Sequence, residues 1–232
     1  MRVVRGDGGG FIAAGRPGEG YRLEAVVDER GVFTCSYHFA LAEEDAATWR
    51  LAVEETPEEP IGRVVENAAR YLVARQAVEG GGLALHGAGV LRHGRAWVFA
   101  GKSGSGKSTA VSLSAPGVSL GDDFAVVIPS ADGWRVAAVP FDNAERAPAT
   151  PPGPPFLAGV FRLHHAGSPR LGWPSAPQGQ ASLIACVAFP WALPDLAEKI
   201  QDAVGALVSA GLFGELWFAP DPSFWVLLEK GV

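Results

Sequence analysis

The chain has 232 residues, of which 48% are hydrophobic and 19% charged, a balance that suits one sizeable core or a core domain with a small companion. A formal net charge of −6 argues against a nucleic-acid partner, because binding a polyanion requires a basic surface. Cys35 and Cys186 lie far apart without metal-ligand spacing, which gives no zinc motif and is typical of a reducing compartment.

No segment predicts export or membrane insertion. The N-terminal stretch MRVVRGDGGGFIAAG lacks the apolar run of a signal peptide. The most apolar later window, 181–194, is too short to span a bilayer and contains Pro190 and Pro194. We therefore expect a cytoplasmic protein that binds neither membrane nor nucleic acid.

Residues 1–79 predict a small β-rich N-terminal lobe with a linking helix. The segments YRLEAVVD, GVFTCSYHFAL and TWRLAVEE are rich in strand-forming residues. A helix is predicted over 56–79, with Thr56 as its cap, Glu59 three residues later, and apolar residues at helical spacing after that. The glycines of EGGG end this helix.

Residues 80–232 predict an α/β domain. A helix is expected over 197–213, and the proline-rich stretch 147–155 is expected to be an exposed, extended connection. The closing segments ELWFAP and SFWVLLEK read as strands, and their apolar character makes them candidates for a contact in a homo-oligomer. The remaining predicted strands occupy 83–91, 95–100, 118–129, 133–141 and 157–165.

The stretch FAGKSGSGKSTAVSL, residues 99–113, carries the clearest chemical signal. It matches G-x-x-x-x-G-K-[ST] in full, between a predicted strand and a helical run, the context that this motif needs. Glycines let backbone N–H groups converge on one point, and a helix N-terminus adds partial positive charge there. We expect ATP to bind through this loop, with Lys107 on the β- and γ-phosphates and Ser108 on Mg²⁺. The expected loop contacts are Gly101, Ser103, Gly104, Ser105, Gly106, Lys107, Ser108 and Thr109.

Two sets of carboxylates compete for the roles of metal ligand and base. Asp221 follows an apolar strand at a spacing typical of transporter ATPases, but AGLFGE precedes it in place of their LSGGQ signature, and Pro222 follows it. The adjacent pair Asp122 and Asp123 follows the strand after the loop and suits phosphoryl transfer to a hydroxyl group. One of the two would help to hold Mg²⁺, and the other would accept the proton of the attacking alcohol.

Three motifs in this order resemble the C-terminal domain of HPr kinase/phosphorylase and the HPr-kinase-related proteins. They are LHGAGV (85–90), GKSGSGKST (101–109) and LGDD (120–123). The resemblance covers roughly residues 80–230. It implies a P-loop core of the type shared by HPr kinase and phosphoenolpyruvate carboxykinases, with the β-rich lobe added at the N-terminus.

The same resemblance implies roles for further residues. Asp122 would be the base and Asp123 the metal contact, and His86 would lie beside this acidic pair and orient it. The segment VPFDN, residues 139–143, would face the acceptor, with Asp142, Asn143 and Arg146 as candidate substrate contacts.

His164 and His165 are expected to be surface histidines, with contact to nucleotide or metal as the alternative. Other assignments are Arg162 and Arg170 as candidate phosphate partners and Trp191, Trp217 and Trp225 as core or interface anchors.

The chain also departs from the HPr kinase pattern. Thr109 stands where bifunctional members carry Glu, and their L-E-[IV]-R-G-[IL]-G segment has no counterpart. We therefore expect an ATP-dependent kinase whose acceptor is a serine of a peptide or protein other than HPr. Two alternatives stay open: a kinase of a free small molecule such as serine or a sugar, and a non-catalytic nucleotide-binding module of a biosynthetic complex.

Overall fold

A computed structural model of the chain describes residues 2–3, 24–28, 31–35, 39–45, 48–53, 60–139, 141, 153–188 and 194–231. The chain divides into two compact units, Met1–Val73 with Trp191–Pro194 and Ala74–Pro190 with Asp195–Val232. The sequence analysis drew its boundary at residue 79, the end of the linking helix.

The described residues of the first unit form a five-stranded sheet and the start of a helix. The strands are β1 (Arg2–Val3), β2 (Glu24–Asp28), β3 (Gly31–Cys35), β4 (Phe39–Asp45) and β5 (Thr48–Val53). Their order in the sheet is β1-β5-β4-β3-β2, antiparallel except for the β1–β5 pair. Helix α1 (Ile61–Glu79) carries fully buried Val64, Ala68 and Tyr71 at helical spacing. The predicted cap residues Thr56 and Glu59 lie outside the described residues.

The second unit holds the elements that follow α1, in which a run of strands precedes the last three helices. Its strands are β6 (Leu83–Leu85), β7 (Gly87–Arg92), β8 (Arg95–Ala100), β9 (Val118–Gly121), β10 (Ala125–Ser130), β11 (Gly133–Ala137), β12 (Leu157–His165), β13 (Arg170–Gly172) and β14 (Phe213–Phe218). Its helices are α2 (Lys107–Ser112), α3 (Ala176–Ile184), α4 (Ala197–Ser209) and α5 (Phe224–Gly231), with a single 3₁₀ turn at Pro194–Leu196. None of the described helices combines the length and the apolar character needed to cross a membrane.

In the described part of this unit, six strands form the main sheet in the order β13-β14-β12-β8-β7-β9. Strands β8, β12 and β14 run parallel, so their carboxyl ends meet at one edge. A separate sheet of three described strands has the order β11-β10-β6. The glycine-rich loop leaves the carboxyl end of β8, which places the candidate site at the edge where the parallel strands end.

Side chains alternate across β12 and β14 and give the main sheet one apolar and one polar face. Phe161, Leu163, Leu216 and Phe218 enter a buried cluster with residues of α2 and α5. Aromatic rings join this cluster, with Phe99 and Phe224 edge to face at 5.8 Å and Trp97 and Trp225 at 5.3 Å. On the other face the early residues Val160 and Phe213 are buried and the later residues of both strands are half-buried, and helix α3 packs there against β14.

The prediction of a closing strand at SFWVLLEK is wrong, because this segment forms helix α5. Phe224, Trp225 and Leu228 are buried while Val226 is 53% exposed, a pattern that fits a helical face rather than alternation along a strand. The Asp221 carboxylate accepts a hydrogen bond from the Ser223 backbone N–H at 2.9 Å and shapes the turn into the helix. Bonding to Ser223 also holds the pKa of Asp221 below its usual value.

Helix α3 was not predicted, although its start carries a recognisable signal. Ser175 caps the helix, and its backbone N–H and hydroxyl both reach the Gln178 side-chain oxygen, at 3.4 Å and 2.7 Å. The spacing S-x-x-Q is that of a capping box. The helix ends beside Cys186, a buried free thiol whose pKa is raised by burial.

Two apolar runs that were predicted as single strands are each divided between the two sheets of this unit. Run 83–91 contains β6 and β7, with His86 between them, and run 118–129 contains β9 and β10, with Asp122 and Asp123 between them. The chain thus passes from one sheet to the other at the same residues that the sequence analysis selected for chemistry.

Candidate functional site

The glycine-rich loop joins the central strand β8 to helix α2. Gly101 follows the last residue of β8, and Lys107 is the first residue of α2. The Gly101 N–H donates to the His86 backbone oxygen at 2.9 Å, and the Ser105 N–H donates to the Lys102 backbone oxygen at 3.1 Å. These bonds fold the segment between strand and helix into a compact loop.

Lys107 connects the loop to the acidic pair. Its ammonium group donates to the backbone oxygens of Gly101 at 3.0 Å and Lys102 at 3.2 Å. The same nitrogen lies 3.4 Å from an oxygen of Asp123, and the Lys107 side chain is only 8% exposed. A buried cation is therefore held between the start of the loop and a carboxylate.

A cavity of about 460 Å³ opens over the loop and collects most of the predicted site residues. Its lining consists of Ser103, Gly104, Gly106, Lys107, Ser108, Thr109, Asp122, Asp123 and His165. Of the other predicted loop contacts, Gly101 forms the loop's first residue and Ser105 is 7% exposed beneath the loop. The predicted phosphate loop and the predicted acidic pair thus share one cavity.

His86 and the acidic pair lie in facing segments. Strand pairing joins Leu85 to Ala125 in one sheet and Gly89 to Gly121 in the other. His86 and the Asp122–Asp123 pair both fall between these two pairings, on antiparallel stretches of chain. The His86 backbone N–H donates to the Cys186 oxygen at 2.8 Å, which fixes the crossing of the chain at this point.

His165, for which nucleotide contact was the alternative interpretation, reaches the loop. Its Nε2 atom lies 2.8 Å from the Gly104 backbone oxygen, and its ring lines the cavity. The neighbouring His164 points to the other face of the sheet and stacks on Trp217, with ring centroids 4.8 Å apart. Burial lowers the pKa of His164, opposed by the nearby Glu215 carboxylate. The sequence signal for this placement was the position of His165 at the end of a buried strand.

The remaining candidates lie elsewhere or outside the described residues. Arg162 donates to the Ser182 hydroxyl at 2.9 Å, and that hydroxyl donates to Glu215 at 2.7 Å. The Arg170 guanidinium lies 3.6 Å from the centre of the Trp217 ring. These arginines belong to the polar face of the sheet rather than to the loop cavity. Asp142, Asn143, Arg146 and Trp191 lie outside the described residues.

A second cavity, of about 360 Å³, lies beside strands β13 and β14. It is lined by Gly172, Trp173, Pro174, Gln178, Glu215 and Trp217. Trp217 and Phe218 are consecutive in β14, so the two residues point to opposite faces of the sheet. The two cavities are therefore associated with opposite faces of the same pair of strands.

The donor atoms at the loop cavity fit Mg²⁺ bound together with phosphates. The Ser108 hydroxyl and the Asp123 carboxylate are oxygen ligands of the kind that Mg²⁺ prefers, and both line the cavity. Among the described residues, no three His, Cys, Asp or Glu side chains gather into a metal-binding group of their own. Mg²⁺ commonly takes one or two carboxylates and completes its shell with phosphate oxygens and water.

Gly106 is a loop position that does not readily accept a side chain. Its φ is 96°, in the left-handed region, and an added Cβ would lie 2.8 Å from the Phe218 ring. We expect Gly106→Ala to lower the free energy of unfolding by about 2–4 kcal/mol, the sum of backbone strain and overpacking. Urea unfolding followed by tryptophan fluorescence measures this loss.

Gly104→Ala is the matched control for that measurement. Gly104 also has a positive φ, 78°, but its added Cβ would meet nothing within 4 Å. Its substitution should therefore cost only the backbone strain, about 1–2 kcal/mol. Equal losses for the two variants would show that contact with Phe218 does not restrict the loop.

Comparison with known families gives one match and one correction. Residues 52–144 match the model of a family described as SynChlorMet cassette protein ScmC. The match covers less than half of the chain and includes β7, β8, the glycine-rich loop and the acidic pair. No curated protein matches the chain.

The resemblance to HPr kinase/phosphorylase that the sequence analysis drew is therefore wrong, because the family that matches is the ScmC family. The three motifs that suggested it lie within the residues that match the ScmC family model.

Proposed function

We propose that the protein is an ATP-dependent kinase that transfers the γ-phosphoryl group to a serine hydroxyl of a peptide or protein. The observation that carries the proposal is the shared cavity of a glycine-rich loop, Lys107 and two adjacent carboxylates, with the Lys107 nitrogen 3.4 Å from Asp123. A site that only bound phosphates would have no need of paired carboxylates facing the loop.

The binding part of the proposed mechanism belongs to the loop and Lys107. Backbone N–H groups of the loop would hold the phosphate oxygens, and Lys107 would move its charge from the loop carbonyls and Asp123 toward the β- and γ-phosphates. Ser108 and Asp123 would hold Mg²⁺, which supplies neutralising charge on the phosphate oxygens. The Lys107 ammonium group, which now lies beside the Asp123 carboxylate, would thus move to the phosphates when ATP binds.

The chemical part belongs to Asp122. The acceptor oxygen forms a bond to the γ-phosphorus, the bond from that phosphorus to the bridging oxygen breaks, and ADP leaves with the electron pair. The proton of the alcohol passes to the Asp122 carboxylate. We assign the Mg²⁺ role to Asp123, whose carboxylate lies 3.4 Å from the Lys107 nitrogen that would meet the phosphates, and the base role to its neighbour Asp122.

The choice of a peptide acceptor is supported by the description of the matched family. The matched family is described as a cassette protein, so peptides encoded beside the gene are the first acceptors to test. The cytoplasm is the expected compartment, since it supplies ATP and keeps a thiol such as Cys186 reduced.

Intact-mass spectrometry after incubation with Mg-ATP and these peptides tests the proposal. We expect a serine-containing peptide to gain the mass of one phosphoryl group while ATP becomes ADP. The same peptide with Ala in place of Ser is the control and should gain nothing. ADP formation only with free serine or a sugar would replace the peptide acceptor by a small molecule. ATP binding without any turnover, with every acceptor tried, would leave a nucleotide-binding module and contradict catalysis.

A further inference from the structure

His165 makes a directed hydrogen bond to the apex of the glycine-rich loop. Its Nε2 atom lies 2.8 Å from the Gly104 backbone oxygen. A carbonyl oxygen only accepts, so Nε2 carries the proton and donates. His165 is the last residue of β12, so the bond ties the loop to a strand that is distant in sequence.

This bond fixes one peptide group at both of its ends. The Gly104 oxygen is held by His165, and the N–H of the same peptide group, on Ser105, donates to the Lys102 oxygen at 3.1 Å. A peptide next to a glycine with φ of 78° has little steric hindrance to rotation. The His165 bond therefore selects one of two orientations that the backbone alone would allow.

The ring of His165 is itself supported by the strand beside it. It lies nearly parallel to the Phe218 ring, with centroids 6.5 Å apart and an interplanar angle of 20°. Residues 165 and 218 are direct partners in the β12–β14 pairing, and Phe218 is 3% exposed. An added Cβ at Gly106 would lie 3.7 Å from the His165 ring, so the loop packs on this pair as well as bonding to it.

We propose that His165 is a positioning residue that holds the Gly104–Ser105 peptide group, and with it the apex of the glycine-rich loop, in a single orientation. A rotated peptide would turn the Gly104 oxygen toward the Lys102 oxygen, which now accepts the Ser105 N–H, and would break the bond that closes the loop. The consequence for nucleotide binding rests on the proposed function, whereas the consequence for loop order does not.

The test compares three variants of the full chain. His165→Phe keeps a ring on Phe218 but removes the donor, and His165→Gln restores an N–H donor without the ring. His164→Phe is the matched control, because its ring stacks on Trp217 at the opposite face and makes no contact with the loop cavity. Hydrogen exchange of the loop amides without nucleotide, and calorimetric titration with Mg-ATP and with Mg-ADP, are the two readouts.

We expect His165→Phe to speed hydrogen exchange at the Ser105 amide. It should also lower the affinity for Mg-ATP and for Mg-ADP about fivefold, the value of one hydrogen bond. His165→Gln should recover most of both effects, and His164→Phe should stay within about twofold of the unmodified protein in affinity, as changes away from such a feature usually do. The positioning role would be overturned if His165→Phe left the exchange rate of the Ser105 amide unchanged. It would also be overturned if His165→Gln lost as much affinity and protection as His165→Phe.

The outcomes also separate this inference from the proposed function. If the unmodified protein binds no Mg-ATP while His165→Phe still loosens the loop, the kinase proposal fails and the loop role stands. If Mg-ATP binds and His165→Phe changes neither readout, the loop role fails and the kinase proposal stands. A loss confined to Mg-ATP, with Mg-ADP unaffected, would overturn positioning in favour of direct contact with the γ-phosphate.

Discussion

Lys107→Ala is expected to lower kcat/KM for ATP-dependent phosphorylation by about 10²- to 10³-fold, the usual cost of removing one preorganised charge from a transferring group. The Lys107 side chain is 8% exposed and its ammonium group lies between two loop carbonyls and Asp123, so no solvent-borne cation replaces it at the same place. Because the substitution leaves the Asp123 carboxylate without this cation, we also expect a lower free energy of unfolding.

Lys102→Ala is the matched control, because Lys102 is an exposed lysine of the same loop whose backbone oxygen, not its side chain, bonds Lys107. Its kcat/KM should change by less than about threefold, as surface substitutions usually do. For both variants, kcat/KM is obtained from the initial rate at which ADP and the phosphorylated acceptor form. Urea unfolding shows whether a lower rate results from a less stable protein. Similar rates for Lys107→Ala and Lys102→Ala would remove Lys107 from the mechanism.

Asp122→Asn is the second substitution with a large expected effect. The amide has almost the shape of the carboxylate but does not accept the alcohol's proton, so we expect kcat to fall by about 10²- to 10⁴-fold. Nucleotide affinity should change little, because the loop and Lys107 carry the phosphate contacts. Single-turnover phosphorylation and calorimetric titration with Mg-ATP measure the two quantities separately.

Asp123→Asn provides the comparison that distinguishes a base from a metal ligand. Its carboxylate pairs with Lys107 and is assigned to Mg²⁺, so its loss should raise the Mg²⁺ concentration needed for half-maximal rate. Asp122→Asn should leave that concentration unchanged. The opposite result would exchange the two roles, and unaltered turnover in both variants would contradict a catalytic acidic pair.

Local signals in the sequence identified most of the cavity's lining. The loop and the acidic pair each lie within a few consecutive residues, and spacing alone is enough to recognise such groups. His165 was given contact with nucleotide or metal only as an alternative, and Phe218 had no assigned role, because parallel pairing of β8, β12 and β14 brings both residues to the loop from distant parts of the chain. Periodicity within one segment holds no information about which strands become neighbours.

The error at SFWVLLEK has a similar cause. A short apolar run is compatible with a strand or a buried helix, and neighbouring elements decide between them. Strand β14 already has β12 on one side and β13 on the other, so no vacant position beside it remains for the next segment. The chain turns at Asp221 and covers the apolar face as a helix, where Phe224 meets Phe99 and Phe218.

The segment that matches a known family ends at residue 144, before β12 and β14 begin. A fragment that stopped there would contain the whole glycine-rich motif and both aspartates, yet it would lack the surface of His165 and Phe218 on which the loop rests. The motif and the side chains that support it are thus encoded in separate stretches of the chain. Substitutions in the later stretch can tune the stiffness of the loop without touching a single residue of the motif.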